Sequence, residues 1–502
     1  MDRNGKGLAI NLKVPSIYAV PRLLRTKDKE LLIQRLADAL SIPRSFVSER
    51  LKRDKSFVWI KRRTTNEEAK KVEKLANQGL GILYEYKRFY PHGPLASNLI
   101  GFTNVDNPGI EGIERMADAE LKGKAGKRFT RRDALGREIK AFEEQMIPAV
   151  DGHRIVLTID QYLQYVTERA LDRAYKKWKA KGAVAILMNP QTGEILAMAN
   201  RPTFDPNTPG DSPIENYRNR VLTDMFEPGS VFKIVTATAA LSEHKVSMSE
   251  KINCEQGEWK WGIKTLHDVH EYGRLTFPEI IIKSSNIGAV KLASRLSPGI
   301  LYRYIKLFGF GRKTGIDLDG EVPGFVRPPA QWSKTSPYAI PIGQEVTVTP
   351  LQLARAISMI ANGGFLVEPH VIDRVEDVHG VTIRKKDPLH EGPKLEPAII
   401  EVLKEILWRA TEEGTGKSAR VKGIPIAGKT GTAQKILPGG RGYSHSNFIG
   451  SFIGFAPADH PILSMVVLMD DPRPLYYGGT VAAPVFSEVM EAALAHLGYT
   501  QS

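Results

Sequence analysis

At 502 residues, 42% hydrophobic and 25% charged, the chain has an ordinary globular composition and enough apolar material for two to four domains. Its longest apolar stretches, such as 183–188 and 461–469, are far too short to cross a bilayer, and the lone Cys254 excludes an internal disulfide. The net charge of +14 sits mainly in residues 1–150, which carry 30 Lys+Arg against 19 Asp+Glu, and only +3 remains for the other 352.

The opening Met1-Asp2-Arg3-Asn4-Gly5 has no apolar signal segment. Residues 10–20 read as a strand, and 27–40 and 65–78 as amphipathic helices, from apolar spacings of three and four. A dense basic run covers 122–140. No aromatic-interleaved basic motif accompanies it, so the expected attraction is to an anionic membrane surface or polymer, not to nucleic acid. The texture changes after Pro148-Ala149-Val150-Asp151-Gly152, which places a domain boundary between 1–150 and 151–502. Residues 154–159 read as a β-branched strand and 161–179 as a long helix. Runs at 183–188 and 194–199 flank Asn189-Pro190-Gln191-Thr192-Gly193, a hairpin signal. Residues 278–296 and 351–361 read as helical, 424–434, 447–455 and 462–469 as strands, and 485–497 as a closing helix. Strands at both ends of a domain with helices between them imply an α+β fold, one antiparallel sheet packed on helices.

Three strings carry chemistry: Ser230-Val231-Phe232-Lys233, Ser284-Ser285-Asn286 and Lys429-Thr430-Gly431, reading S-x-x-K, S-x-N and K-T-G. A serine hydroxyl needs an adjacent base to act as a nucleophile. If 226–241 opens a helix at Gly229, Ser230 and Lys233 fall one turn apart on one face. S-x-x-K and S-x-N each arise about once or twice by accident in a chain this long. Indeed Ser242-Glu243-His244-Lys245 and Lys313-Thr314-Gly315 repeat two of them. Context separates the pairs. Ser230 follows the turn Glu227-Pro228-Gly229 at a helix start, whereas Ser242 lies where the helical run ends. Lys429 leads into Thr432-Ala433-Gln434, which suits a strand, and Lys313 sits in a glycine-rich loop. Gly414-Thr415-Gly416-Lys417-Ser418 lacks the first glycine of a phosphate loop, since position 411 is Thr411. No paired Cys/His spacing suggests a metal, and no cofactor is expected.

With Asp2-Arg3-Asn4-Gly5, Gly109-Ile110-Glu111-Gly112, Leu157-Thr158-Ile159-Asp160 and Lys429-Thr430-Gly431-Thr432-Ala433-Gln434, the chain resembles the class B penicillin-binding proteins over nearly all its length. The resemblance implies a penicillin-binding/β-lactamase-like transpeptidase domain at 151–502 behind an elongated pedestal, a dimerisation or partner-binding domain, at 1–150. It also implies a membrane helix upstream of Asp2, so that this chain is expected to be an ectodomain with an added Met1, working on the periplasmic side at the division septum. By the same resemblance Ser230 attacks the penultimate D-Ala carbonyl of a peptidoglycan stem peptide, Lys233 is its base, and Ser284 and Asn286 complete a proton relay. Lys429 supplies positive charge, Thr430 and Thr432 offer hydroxyls to the substrate carboxylate with Gly431 a substrate-binding position between them, and the N–H groups of Ser230 and Thr432 form the oxyanion hole. β-Lactams are expected to stall at the ester. Ser284-Ser285-Asn286 followed by Ile287-Gly288-Ala289-Val290-Lys291 is similar to the septal type, which implies a septal membrane glycosyltransferase and other division proteins as partners. An elongation-type transpeptidase and a penicillin-sensing module without turnover are the alternatives.

Overall fold

The computed structural model describes all residues except 25–28, 54, 76, 78, 129–145, 262, 263, 438, 440, 441 and 500–502. Most of the basic run 122–140 therefore lies outside the described residues. The chain divides into two compact units, one of Gly7–His92 with Thr103–Pro108, the other of Met1–Lys6, Gly93–Phe102 and Gly109–Ser502.

In the smaller unit a three-stranded antiparallel sheet runs in the order Val58–Lys61, Ile10–Ala19, Leu80–Phe89. Helices Lys29–Leu40, Arg44–Lys52 and Asn66–Glu73 cover it, with Leu36, Leu40 and Val47 packed on Ile17 and Ile60 in one core. Thr65 and Glu68 close a capping box that fixes the start of the third helix. That helix stops at Glu73, short of the expected 78. The helix Arg44–Lys52 and the strand Leu80–Phe89 were not among the sequence-based expectations.

The larger unit is built on a five-stranded antiparallel sheet in the order Ala427–Ile436, Tyr443–Ala456, Leu463–Asp470, Gly182–Met188, Ile195–Arg201. The last strand in chain order thus pairs with the first strand of this sheet, Val466 opposite Ile186, whereas the earlier strand Arg154–Leu157 pairs with Ile372–Glu376 in a separate three-stranded sheet, so the expected single sheet is two. Every residue of Gly182–Met188 and Ile195–Arg201 is buried, because helices cover both faces. On one face Gln161–Lys177 and Ala483–His496 bury Leu163, Leu171, Phe486 and Met490 against Ala185, Leu187 and Met465. Burying each large apolar side chain contributes about 1.5–3 kcal/mol before entropy is charged. Asp160 caps the first of these helices through Tyr162 and Leu163 N–H, and Asn4 Nδ2 donates to the same carboxylate at 2.9 Å. The Asp2-Arg3-Asn4-Gly5 segment therefore belongs to the larger unit, with buried Asp2 accepting from Asn4 and Lys6 N–H.

One expected helix is broken. Residues 278–296 form Phe277–Ile282 and Asn286–Ala293, separated at Ser284, whose φ of +61° lies in the left-handed region. The apolar pattern reads helical on both sides of the break, and nothing in it marks that reversal. Among the described residues, no helix is long and apolar enough to cross a membrane.

Candidate active site

Ser230 stands in a 3₁₀ turn, Gly229–Phe232, that runs directly into the helix Lys233–Ser242. Gly229 adopts φ +57°, and a Cβ there would lie 2.8 Å from the Thr432 carbonyl oxygen. Its N–H donates to Gly343 O at 3.1 Å. Gly431 is equally constrained, since a Cβ would meet Val231 Cγ1 at 2.9 Å. The two glycines let the Ser230 turn rest against the edge strand Ala427–Ile436 near Thr432.

Lys233 and Lys429 are both 0% exposed. Lys233 Nζ donates to Ser284 O at 2.6 Å, to Asn286 Oδ1 at 2.7 Å and approaches Ser284 Oγ at 3.3 Å. Lys429 Nζ reaches the same Ser284 Oγ at 2.9 Å and Thr430 O at 3.2 Å. Ser284 is thus the point where two buried lysines converge. Burial, then the nearby Lys429 charge, drives the Lys233 amine well below its ordinary range. Burial pushes Lys429 down to about 7.

The structure brings Lys233, Ser284, Asn286 and Lys429 into one hydrogen-bonded cluster, with Ser230 and Thr432 on the turn and strand beside it. The Thr430 hydroxyl shares a 2.6 Å hydrogen bond with Thr415 Oγ1, and Thr432 Oγ1 accepts from Gly478 N at 3.3 Å. Thr415 lies in the string set aside above as a false phosphate loop, which here backs the edge strand. The second S-x-x-K and the second K-T-G stay apart. Ser242 ends its helix, and Lys313 is exposed in a loop where Thr314 N–H donates to Glu321.

Three further residues escaped the sequence reading as site residues. Buried Glu227, three positions before Ser230, accepts from Glu345 N–H at 2.8 Å and from the Tyr443 hydroxyl at 3.2 Å. Burial pushes its carboxyl up to about 7. His267 and Asp268, at the end of the hairpin Glu258–Trp261/Lys264–His267, contact Asn286 and Ser285. No local pattern marks His267 or Asp268, and Glu227 entered the sequence reading only as part of the turn before Ser230.

Comparison with known proteins identifies the domain that carries this cluster. The penicillin binding protein transpeptidase domain matches residues 183–491, and the penicillin-binding protein dimerisation domain matches 1–157. Stage V sporulation protein D of Bacillus subtilis is 36% identical over 514 aligned positions, covering 99% of this chain and 78% of its own. Peptidoglycan D,D-transpeptidase FtsI of Escherichia coli is 34% identical over 504, covering 98% and 82%. Among solved structures, penicillin-binding protein 3 of Mycobacterium tuberculosis complexed with aztreonam superposes with a TM-score of 0.76 at 27% identity, covering 100% of this chain and 96% of its own. A transpeptidase match over more than half the chain, an N-terminal dimerisation match, and relatives aligned almost from end to end make this protein a class B penicillin-binding protein, a serine-type peptidoglycan D,D-transpeptidase.

Proposed function

We propose that the protein cross-links septal peptidoglycan through an acyl-enzyme on Ser230. The observation that carries the mechanism is the convergence of Lys233 and Lys429 on Ser284 beside the Ser230 turn. A neutral lysine amine has two N–H donors and one lone pair. The two shortest contacts of Lys233, Ser284 O and Asn286 Oδ1, use both donors and leave the lone pair for a hydroxyl proton. Ser230 Oγ attacks the penultimate D-Ala carbonyl of a donor stem peptide as its proton passes to Lys233. Backbone N–H groups of Ser230 and Thr432 receive the oxyanion, each donor contributing about 3 kcal/mol. Ser284 relays the proton to the departing D-Ala amine, and an acceptor amine then resolves the ester into a cross-link. Lys429, with the hydroxyls of Thr430 and Thr432, draws the substrate carboxylate, and Gly431 between them lines the same substrate-binding strand. A β-lactam enters by the same attack and stops at the ester.

Residues 1–150 serve as a pedestal for partner or membrane contact, and 151–502 as the catalytic part. The basic excess of the first part supports this, as does the compact unit centred on Gly7–His92. The catalytic part works outside the cytoplasmic membrane at the division septum, alongside a membrane glycosyltransferase and other division proteins. The 34% identity to the Escherichia coli FtsI transpeptidase supports the division role. A sporulation role for the same chemistry is the second reading, favoured by the 36% identity to stage V sporulation protein D.

A fluorescent-penicillin gel tests the chemistry: a labelled band that a D-Ala-D-Ala-ended peptide suppresses is expected, and no band refutes the acyl-enzyme. Depletion in the host tests the role. Long filaments with unsegmented walls are expected. Swollen cells that still divide would assign the protein to elongation, and normal growth with failed spores to sporulation.

A further inference from the structure

The helix Asn286–Ala293 begins inside the active site, so its first N–H groups need partners that leave the lysine cluster undisturbed. Ser285, its N-cap, accepts from Gly288 N–H at 2.9 Å. The Asp268 carboxylate takes the rest. It accepts the Ser285 hydroxyl at 2.6 Å, Asn286 N–H, and Ile287 N–H at 3.1 Å. The preceding carbonyl, His267 O, accepts Asn286 Nδ2 at 2.9 Å, which turns the amide so that its oxygen faces Lys233. Two consecutive residues at one hairpin end thus hold three consecutive residues of the turn.

The turn needs such holding. Ser284 keeps φ +61°, a left-handed conformation unfavourable for a non-glycine residue, which persists only when its surroundings impose it. Lys233 grips its carbonyl from one side, and the Asp268 cap fixes the residues that follow it. The hairpin is itself tied down at two points. Trp259 lies under Lys291 Nζ of the same helix at 4.9 Å, and Trp261 packs on Tyr338 with ring centroids 3.4 Å apart.

Charge adds to geometry. Among the described residues, the carboxylate that acts on buried Lys233 is Asp268, which opposes its downward shift, while Lys429 on the edge strand reinforces that shift. Among the described residues, the other titratable groups that sense Asp268 are the Cys254 thiol and the Tyr272 phenol. Burial and this carboxylate push both upward, so both stay neutral.

The geometry points to Asp268 as a positioning residue for transpeptidation: it sets the Ser284-Ser285-Asn286 turn for proton relay and balances the charge of the paired lysines. The inference rests on the acyl-enzyme reading above. It identifies a determinant outside the three motifs, delivered by a hairpin that the sequence pattern does not flag.

Two substitutions in the full chain separate its two tasks. Asp268→Ala removes cap and charge. Asp268→Asn keeps the shape, since an amide oxygen can accept both N–H groups while its nitrogen donates to Ser285, but removes the charge. The second-order rate of acylation by fluorescent penicillin is read against pH, with Ser230→Ala as the blank. Asp268→Ala is expected to slow acylation about tenfold or more across the whole profile. Asp268→Asn is expected to recover most of that rate, with its acid limb moved to lower pH because Lys233 loses its proton more readily. A merely structural cap would leave that limb in place. Asp268→Ala acylating within about twofold of the parent overturns positioning. An unmoved acid limb in Asp268→Asn overturns the charge role, and decides the matter if circular dichroism finds Asp268→Ala unfolded. Label persisting in Ser230→Ala would instead refute the acyl-enzyme reading beneath both.

Discussion

Lys313-Thr314-Gly315 and Lys429-Thr430-Gly431 are the same three residues in two surroundings. The first sits in a loop with its lysine in solvent, and no special chemistry is asked of it. The second lies on an edge strand with its lysine fully buried, its ammonium on Ser284 and its proton affinity pushed down to about 7. Tripeptide identity is shared, so the difference comes from burial and from the partners that tertiary structure brings. The same holds for the two S-x-x-K strings. One opens a buried helix against the edge strand, and the other ends that helix in polar residues.

The largest contrast is between the serines. Ser230→Ala is expected to abolish labelling by fluorescent penicillin, whereas Ser242→Ala keeps the parent's band intensity. Next come the lysines. Lys429→Ala should slow acylation at least about tenfold, about 1.4 kcal/mol of barrier, and Lys313→Ala should leave the rate unchanged. Stopped-flow or gel-based rates check this, and the reverse ranking would exchange the roles of the two strings.

The buried lysine pair also sets a pH profile. On the proposed roles, the rate is expected to rise with pH as Lys233 loses its proton and to fall as Lys429 loses its own near pH 7, giving a bell for the free enzyme. Lys429→Arg, which cannot deprotonate, should abolish the alkaline limb while keeping the acid one. An alkaline limb that persists in this variant would remove Lys429 from the assignment.

The smallest expected effect concerns stability at Glu227. Its folded-state affinity for a proton is raised from 4.5 to about 7, so its stabilising contribution is full below pH 4.5 and is lost as pH rises through 7. Glu227→Gln should therefore gain about 1 kcal/mol over the parent at pH 8, after solvent screening, and little at pH 4.5. Thermal melts at the two pH values read the difference.

Much of this site was legible because each motif is local. Ser230 with Lys233, Ser284 with Asn286, and Lys429 with its strand lie within a few residues of one another, and flanking turns or strands separate them from their duplicates. The five-stranded sheet was legible for a similar reason, since β-branched and apolar runs stand at both ends of the domain. The break at Ser284 was not, because the apolar runs on either side of it, Ile280-Ile281-Ile282 and Ala289-Val290, read as one continuous buried segment. Asp268, Glu227 and Thr415 were not legible either. Asp268 reaches its partners across 17 to 19 positions, Thr415 pairs with Thr430 across 15, and Glu227 meets Glu345 across 118. Only the folded chain brings those pairs together.

The most direct test is to acylate the protein with a labelled penicillin, digest it and map the modified peptide by mass spectrometry. A single adduct on Ser230, in the peptide that also carries Lys233, is the expected result. An adduct on Ser242, Ser284 or any other residue would contradict the assignment of the nucleophile and of the lysine pair built around it.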